Sequence, residues 1–347
     1  MNVLLHGKSS VRPGTGPYTY LNLLIRSLDD RCTFGEYSNR SPDTQDWDLI
    51  HVLDMKQLPR KFFKNVSLPV ILDLHDTYWL EKVPYPCPDR WGRLWLARRR
   101  RKSYPILMSQ ASRIVVHSRF VFRTLRDWLP VDQRAKLIQV PYAVMIPDHI
   151  PAKTTAGNHR ILFAGRDLFR KGFPTLIEAV DLLLKRMSRL ELAVVGDEYR
   201  HSMSWAKRRC RGLPVSFLGA LSPADLRREI LASKVVVLSS YTEAFGIILL
   251  EAQALGVPVI GTRVGGIPET MAEKETGLLV PPYDSGALAD CLEESLTNPE
   301  RLRMMGEFGR EWVAKKFSPD QMANALMELY QSVSEARRSR TPADLST

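Results

Sequence analysis

The sequence predicts two Rossmann-like α/β domains in tandem, each a parallel sheet flanked by helices, and three observations lead to it. The chain has 347 residues, and at roughly 150 residues per domain that suggests about two domains. Short apolar runs alternate with stretches of helical periodicity from end to end. The runs are continuous rather than alternating, as in parallel strands buried on both faces. The pattern lapses over residues 146–158 (IPDHIPAKTTAGN), which are polar with two prolines and read as an inter-domain linker.

The elements follow in order. In the first domain, 1–150, a strand at 3–5 leads into a loop with Gly14, Gly16 and Pro17. A helix over 19–28 then aligns Leu21, Leu24, Ile25 and Leu28 on one face. Further strands are expected at 49–53, 70–74, 113–116 and 136–140. The second domain, 159–317, opens with a strand at 161–164 and a helix over 174–186 that buries Leu176, Ile177, Val180, Leu183 and Leu184. Strands at 190–195, 215–218, 235–238, 257–261 and 277–280 follow, with helices between. Ser222-Pro223, Asn298-Pro299 and Ser318-Pro319 each place a capping side chain before an N1 proline. Ser318 with Gln321 fits a capping box, so a last helix is expected over 318–334 and a flexible polar tail over 335–347. Sheets of this kind bind ligands at the carboxyl ends of their strands. Two of them facing across a cleft would hold a donor and an acceptor.

Apolar residues make up 44% and charged residues 25%, which excludes wholesale disorder. Lys and Arg number 49 against 38 Asp and Glu, a formal charge of +11. That excess favours anionic partners: nucleotides, phosphates, nucleic acid or an anionic membrane. Cys32, Cys87, Cys210 and Cys291 lie far apart without CxxC spacing. No disulfide framework or zinc site is expected, and a reduced cytosolic setting is. No segment approaches the ~18 apolar residues of a spanning helix. The first residues, MNVLLHGKSS, lack an apolar core, so no secretory signal is expected.

The chemistry concentrates in the second half. The stretch Thr242-Glu243-Ala244-Phe245-Gly246-Ile247-Ile248-Leu249-Leu250-Glu251 follows the strand at 235–238. Gly246 would open a helix that Gly256 ends, and a helix N-terminus with free N–H groups binds anions. Glu251 would lie about 7.5 Å along the axis from Gly246, at 1.5 Å per residue. A nucleotide diphosphate at the helix start would then reach both carboxylates. An arbitrary Glu pair is more often a turn cap and a solvated residue, but Glu251 sits within IILLEAQALG, where a carboxylate needs a partner. Gly165-Arg166 and Lys171-Gly172 follow the strand at 161–164. Two cations there suit a pyrophosphate leaving group, although two cations alone are commonly just surface charge.

In combination, GRDLFRKG, VVGDEY, SSYTEAFGIILLEAQALGVPVIGTRVGGIPE and TGLLVPP resemble the retaining glycosyltransferases of family 4, with the GT-B fold. Glu243 and Glu251 meet that family's Glu–seven residues–Glu motif, and the resemblance covers nearly all of 160–317. The first half is similar more loosely, through DLIHV at 48–52, PVILDLHD at 69–76 and ASRIVVHS at 111–118. It departs at VPYAV (140–144), where Tyr142 and Ala143 replace Asn-Gly, and in the first loop, PGTGPY.

The resemblance implies transfer of a sugar from a nucleotide diphosphate donor, UDP- or GDP-linked, to an acceptor hydroxyl with retained configuration. Arg166 and Lys171 would hold the diphosphate, Glu251 the ribose and Glu243 the transferred sugar. The backbone of Phe245, Gly246 and Ile247 would line sugar and phosphates, and Gly16 would close over the diphosphate. His75 would end a first-domain strand and contact sugar or acceptor, against the alternative of a satisfied structural histidine. The last helix would cross back onto the first domain. No covalent nucleophile, cofactor or metal is expected. Asp46-Trp47-Asp48 has a metal-binding form, but its place before a strand makes it a polar turn.

Residues 90–102 (RWGRLWLARRRRK), from Arg90 to Lys102, carry seven basic residues and no acid. Trp91, Leu94 and Trp95 share a helical face in one reading, which suits an anionic membrane surface; a solvated helix face is the alternative. No nucleic-acid motif is present, so nucleic acid is not an expected partner. The expected setting is cytoplasmic, with a peripheral place at the inner face of the membrane as an option. Polysaccharide or other glycan synthesis on a lipid-linked or soluble acceptor is the expected role. A nucleotide-sugar epimerase of the same fold and a non-catalytic scaffold are the competing readings.

Overall fold

The computed structural model describes residues 1–7, 16–37, 44–55, 58, 62–80, 90–150, 159–196 and 200–339. They form two units, each built on a six-stranded, all-parallel sheet. In the first, β1 (Asn2–His6) leads through the opening loop to α1 (Gly16–Leu28), then β2 (Thr33–Glu36), β3 (Leu49–Val52) and β4 (Val70–Leu74). The long helix α2 (Arg90–Gln110) precedes β5 (Arg113–Val116), α3 (Arg119–Trp128) and β6 (Leu137–Gln139). The strand order is β2-β1-β3-β4-β5-β6, so the chain reverses direction across the sheet between β1 and β3. Every residue of β3 and β4 is buried, so the strands are apolar apart from His51 and Asp73, which are buried with them. The edge strand β2 (TFGE) is short and half-exposed, with no apolar run to announce it.

The second unit contains β7 (His159–Ala164), α4 (Phe173–Leu184), β8 (Leu190–Val195), α5 (Arg200–Arg209), β9 (Val215–Gly219) and α6 (Pro223–Leu231). It continues through β10 (Val235–Leu238), α7 (Ile247–Ala254), β11 (Val259–Thr262), β12 (Gly277–Val280), α8 (Ser285–Thr297) and α9 (Pro299–Lys316). Its order is β12-β11-β10-β7-β8-β9, with Ile161 beside Val235 and Phe163 beside Val237. The switch point therefore falls between β7 and β10, and the loops leaving those two strands diverge over a crevice. Phe173, Leu176, Ile177, Val180 and Leu183 of α4 pack on one face of the sheet with Leu288 and Leu292 of α8. Leu249 and Ala252 of α7 pack on the other with Ile230 of α6.

Helix α10 (Pro319–Arg338) groups with the first unit, against α1 and β3. Arg31 donates to Asn324 Oδ1 at 2.8 Å, and Tyr330 Oη meets His51 Nδ1 at 2.7 Å. The helix runs past the expected boundary at 334, because Ser334 is buried and Arg337 donates to the Trp47 carbonyl at 3.1 Å. The tail is thus helical through Arg338, and residues 340–347 lie outside the described part. Asp48 of the Asp-Trp-Asp segment accepts from the Asn2 amide at 2.9 Å and pairs with Arg338 at 3.5 Å, as a structural turn residue.

The first unit ends at Ala143 rather than 150. Val144 N donates to Phe317 O at 3.1 Å, and Arg310 of α9 donates to Pro147 O at 2.7 Å. Residues 144–150 are therefore bound to the second unit; the rest of the expected linker, 151–158, lies outside the described residues. The strand expected at 257–261 starts at Val259 instead. Gly256 takes φ +67 and Val257 N closes on Ala252 O at 2.9 Å, so both belong to the end of α7.

Candidate active site

The loop from β7 to α4, GRDLFRKG, is wound tightly by its own backbone. Asp167 adopts the left-handed conformation (φ 56). Its carbonyl accepts the Lys171 amide at 2.9 Å, and its carboxylate takes the Arg170 amide at 3.3 Å and Nε at 3.4 Å. The loop returns at Gly172, which caps α4 with φ 69. A Cβ there would sit 1.7 Å from the Ser239 carbonyl, so no other residue fits.

The loop after β10, SSYTEAFG, is stitched to it. Ser239 Oγ donates to Gly172 O at 3.0 Å, and Tyr241 N donates to Arg170 O at 2.9 Å. From the other side Thr262 donates to Ser240 O at 2.6 Å, and Gly266 N to Glu243 O at 3.0 Å. The Gly265-Gly266 pair permits that approach: added Cβ atoms would stand 1.9 Å from Glu243 O and 2.1 Å from Ala244 O. Glu243 is thereby held from both flanks.

The Glu243 carboxylate is buried and pairs with the Lys171 ammonium. Arg170 Nη1 lies 3.5 Å from Oε2, and Ser240 Oγ lies 3.3 Å from the same atom. Burial pulls the Lys171 ammonium below its ordinary pKa, while the charge and hydrogen bond of Glu243 oppose that shift. Lys171, Arg170 and Glu243 thus converge at the carboxyl ends of β7 and β10, at the switch point, with Asp167 on the far side of Arg170. Arg170 was not singled out from sequence; the Arg-Lys pair inside DLFRKG was its only signal. Arg166 sits half-buried in the same turn.

Gly246 caps α7 with φ 100, so the first turn of that helix opens without a side-chain cap. The Phe245 side chain is buried edge-on against Phe317 (centroids 5.8 Å). Ile247 begins the helix, and Glu251 lies one turn on, half-buried.

In the first unit Gly16, expected to close over the diphosphate, is the first residue of α1, and the loop before it, residues 8–15, lies outside the described part. His75 follows β4 and is held through both ring nitrogens: Nδ1 meets Tyr142 Oη at 2.6 Å and Nε2 meets Leu53 O at 2.8 Å. Its ring stacks on His117 (4.9 Å, 12°) beneath the edge of Tyr20. Tyr142, where the family resemblance led to Asn-Gly, is thus a partner of His75. Beneath it Asp73 is fully buried with His51 Nε2 at 3.0 Å and His117 Nε2 at 3.8 Å. Burial alone would raise the Asp73 carboxyl, but the imidazoles of His51, His117 and His75 hold it below its usual range. Burial drives His117 down to about 3, against the pull of Asp73. Asp73, His75 and His117 bring metal-ligating atom types within 4.8 Å of one another. His75 is engaged at both nitrogens, Asp73 faces His51, and His117 Nδ1 meets Val140 O at 2.8 Å, a structural hydrogen-bonding network.

The profile of the glycosyl transferases group 1 matches residues 148–312. This part of the chain is similar to the group 1 glycosyl transferases. The match encloses Arg166, Arg170, Lys171, Glu243 and Glu251. D-inositol 3-phosphate glycosyltransferase of Corynebacterium jeikeium is 35% identical over 192 residues, 52% of this chain and 46% of the relative. The chain spans less than half the length of the first curated relatives it matches. Sucrose-phosphate synthase from Thermosynechococcus elongatus superposes with a TM-score of 0.79 at 21% identity, covering 97% of this chain and all of that one. HepE from Anabaena, solved with UDP-glucose, gives 0.74 at 16% identity over 96% of this chain and all of that one. These likenesses establish the fold as GT-B. Among the described residues, no helix is long and apolar enough to cross a membrane.

Proposed function

We propose that this protein is a retaining, metal-independent glycosyltransferase that moves a sugar from a UDP- or GDP-linked donor to an acceptor hydroxyl. The observation that carries the proposal is the convergence of Arg170, Lys171 and Glu243 at the switch point beside the start of α7. In the transfer, the bond between the anomeric carbon and the diphosphate oxygen breaks and a bond to the acceptor oxygen forms. The leaving phosphate takes the acceptor's proton, so no side chain becomes a covalent nucleophile. Negative charge develops on the diphosphate, where Lys171, Arg170, Arg166 and the open first turn of α7 offset it. Lys171 then exchanges part of its contact with Glu243 for phosphate. The carboxylate so freed accepts from hydroxyls of the transferred sugar, while Glu251 accepts from the ribose. His75, with both nitrogens engaged, positions the acceptor side rather than moving a proton.

The first unit's share is the acceptor, a glycan or a lipid-linked glycan. An inner-membrane setting is supported by α2, where Trp95 is 62% and Leu96 38% exposed beside exposed Arg98, Arg99 and Lys102. Arg99 lies over the Trp95 ring at 5.7 Å. An exposed indole among cations fits the boundary of an anionic bilayer. Incubation with radiolabelled UDP-glucose or GDP-mannose and a glycan acceptor mixture tests the transfer. Wild-type enzyme is expected to label acceptor, and Glu243→Ala to lose that label. Equal labelling by the variant would remove Glu243 from the mechanism, and donor turnover without acceptor would favour an epimerase.

A further inference from the structure

His6 is the last residue of β1 and is aligned with Val52, the last residue of β3. Strands β1 and β3 flank the place where the first sheet reverses its order. Open sheets of this kind take ligands outside the carboxyl ends of the strands at such a point. The backbone there is fixed from both sides: Leu53 N donates to His6 O at 3.0 Å, and Tyr37 N donates to Leu5 O at 2.9 Å. The imidazole is held as firmly. Its ring centroid lies 5.2 Å from that of Phe62 and 5.8 Å from that of Tyr37, and both of those residues are buried. Nδ1 meets Tyr37 O at 3.3 Å. A carbonyl oxygen only accepts, so Nδ1 carries the proton and Nε2 carries the lone pair. The ring is half-buried. Burial holds His6 below its ordinary pKa, against the opposing pull of the Tyr37 carbonyl and the Glu36 carboxylate, so the imidazole is neutral at pH 7.

The other histidines of the first unit differ. Partners face both ring nitrogens of His51 (Tyr330 Oη and Asp73), of His75 (Tyr142 Oη and Leu53 O) and of His117 (Val140 O and Asp73). Those three rings tie strands together. Among the described residues, the Tyr37 carbonyl on Nδ1 is the hydrogen-bond partner of His6, and none meets Nε2. The chemistry of the ring narrows the ligand. A neutral nitrogen with a lone pair accepts from an O–H or N–H group. The group of described residues with metal-ligand spacing is Asp73, His75 and His117, which leaves His6 out. Glu36 is the charged group that acts on the ring, and a carboxylate there disfavours a phosphate. An uncharged hydroxyl suits the site best.

We propose that His6 is an acceptor-binding residue, whose Nε2 accepts a hydrogen bond from a hydroxyl of a polyhydroxylated ring, a sugar or a cyclitol, and so orients the acceptor on the first unit. This rests on the glycosyltransferase reading above, and the test separates the two. The full chain, labelled with nitrogen-15 in its histidines, is titrated at pH 7 with methyl α-D-mannopyranoside, methyl α-D-glucopyranoside and myo-inositol. Long-range proton–nitrogen correlation spectra read the imidazole nitrogens, and His6→Gln assigns the His6 signals. Without probe, His6 is expected to show a protonated Nδ1 and an unprotonated Nε2. At least one probe is expected to shift that Nε2; a response to the glycosides alone assigns a sugar, and a response to myo-inositol alone assigns a cyclitol. His6→Phe keeps an aromatic ring against Phe62 and Tyr37 and is expected to weaken probe binding about fivefold, as for one lost hydrogen bond. His6→Gln, whose amide oxygen still accepts, is expected to stay within about twofold of wild type. Binding of UDP and GDP and the thermal midpoint are measured on the same samples, and nucleotide affinity is expected to be unchanged in both variants. A proton on Nε2 without probe, no probe that moves His6 Nε2, or equal probe affinity in His6→Phe overturns the proposal. So does a loss of nucleotide binding in His6→Phe, which would make the residue structural. The wild-type nitrogen signals decide the matter even where His6→Phe does not fold. Probe binding that depends on His6 in a protein that binds neither nucleotide would sink the glycosyltransferase reading and leave the hydroxyl site standing.

Discussion

Replacing Glu243 with Gln keeps the shape of the site and removes the carboxylate that Lys171 and Arg170 share. In the native chain that group is 7% exposed and its partners Lys171 and Arg170 are 13% and 14% exposed. Removing one member of a buried pair typically costs about 3–5 kcal/mol, because the remaining charge stays buried. Arg170 keeps Asp167 at 3.4 Å, so the lower end applies, about 3 kcal/mol. At roughly 2–4 °C per kcal/mol for domains of this size, the thermal midpoint should fall by about 6–12 °C. An anion that reaches the released cations should restore part of it. Inorganic pyrophosphate, or the matching nucleoside diphosphate, is therefore expected to raise the midpoint of Glu243→Gln by more degrees than it raises wild type. Scanning calorimetry with and without pyrophosphate measures both quantities. A fall of less than about 2 °C, or equal shifts by pyrophosphate in the two proteins, would refute the idea that Glu243 holds Lys171 and Arg170 in readiness for phosphate.

Three further outcomes are expected. Gly172→Ala should break the Arg170–Lys171 loop, since its Cβ would meet the Ser239 carbonyl at 1.7 Å; a crystal structure or diphosphate titration indistinguishable from wild type would contradict this. His117 is held neutral in the fold at about 3 against an ordinary 6.5, so below pH 6.5 the unfolded chain takes a proton that the folded one refuses. Stability should therefore fall with acidification at up to about 1.4 kcal/mol per pH unit between pH 6.5 and 3 from this group. His117→Asn should flatten the slope by up to one proton in urea titrations, and an unchanged slope would count against it. Replacing Trp95, Arg98, Arg99 and Lys102 with Ser should weaken sedimentation with phosphatidylglycerol vesicles by roughly 100-fold, at ~1 kcal/mol per lost cation. Arg101 is left in place because it ties Trp79 O and Leu80 O at 2.8 Å. Wild type that does not sediment at low salt would make α2 a solvated face only.

The parts of the fold that declare themselves in sequence are those with both faces buried. β3, β4, β10 and β11 are buried at every residue and predominantly apolar, although β3 carries His51 and β4 carries Asp73. Strand β2 escaped notice because an exposed four-residue edge needs no apolar pattern. The end of α10 was placed too early because Arg337 and Arg338 look like tail residues, and only the turn at Trp47-Asp48 gives them partners. In the site, Lys171 and Glu243 were legible from motif and spacing. Arg170 was not, because its turn toward Glu243 depends on Asp167 adopting a left-handed conformation that nothing local announces. The engagement of His75 by Tyr142 joins residues 67 apart and belongs to the sheet, not to a motif.

The most direct measurement is a calorimetric titration of the full chain in EDTA with UDP, GDP, UDP-glucose and GDP-mannose, repeated on Lys171→Ala. One nucleotide and its sugar conjugate should bind one to one, and Lys171→Ala should weaken both at least tenfold, about 1.4 kcal/mol. Heat from none of them, or equal affinity in the variant, would contradict a donor site built on Lys171, Arg170 and Glu243.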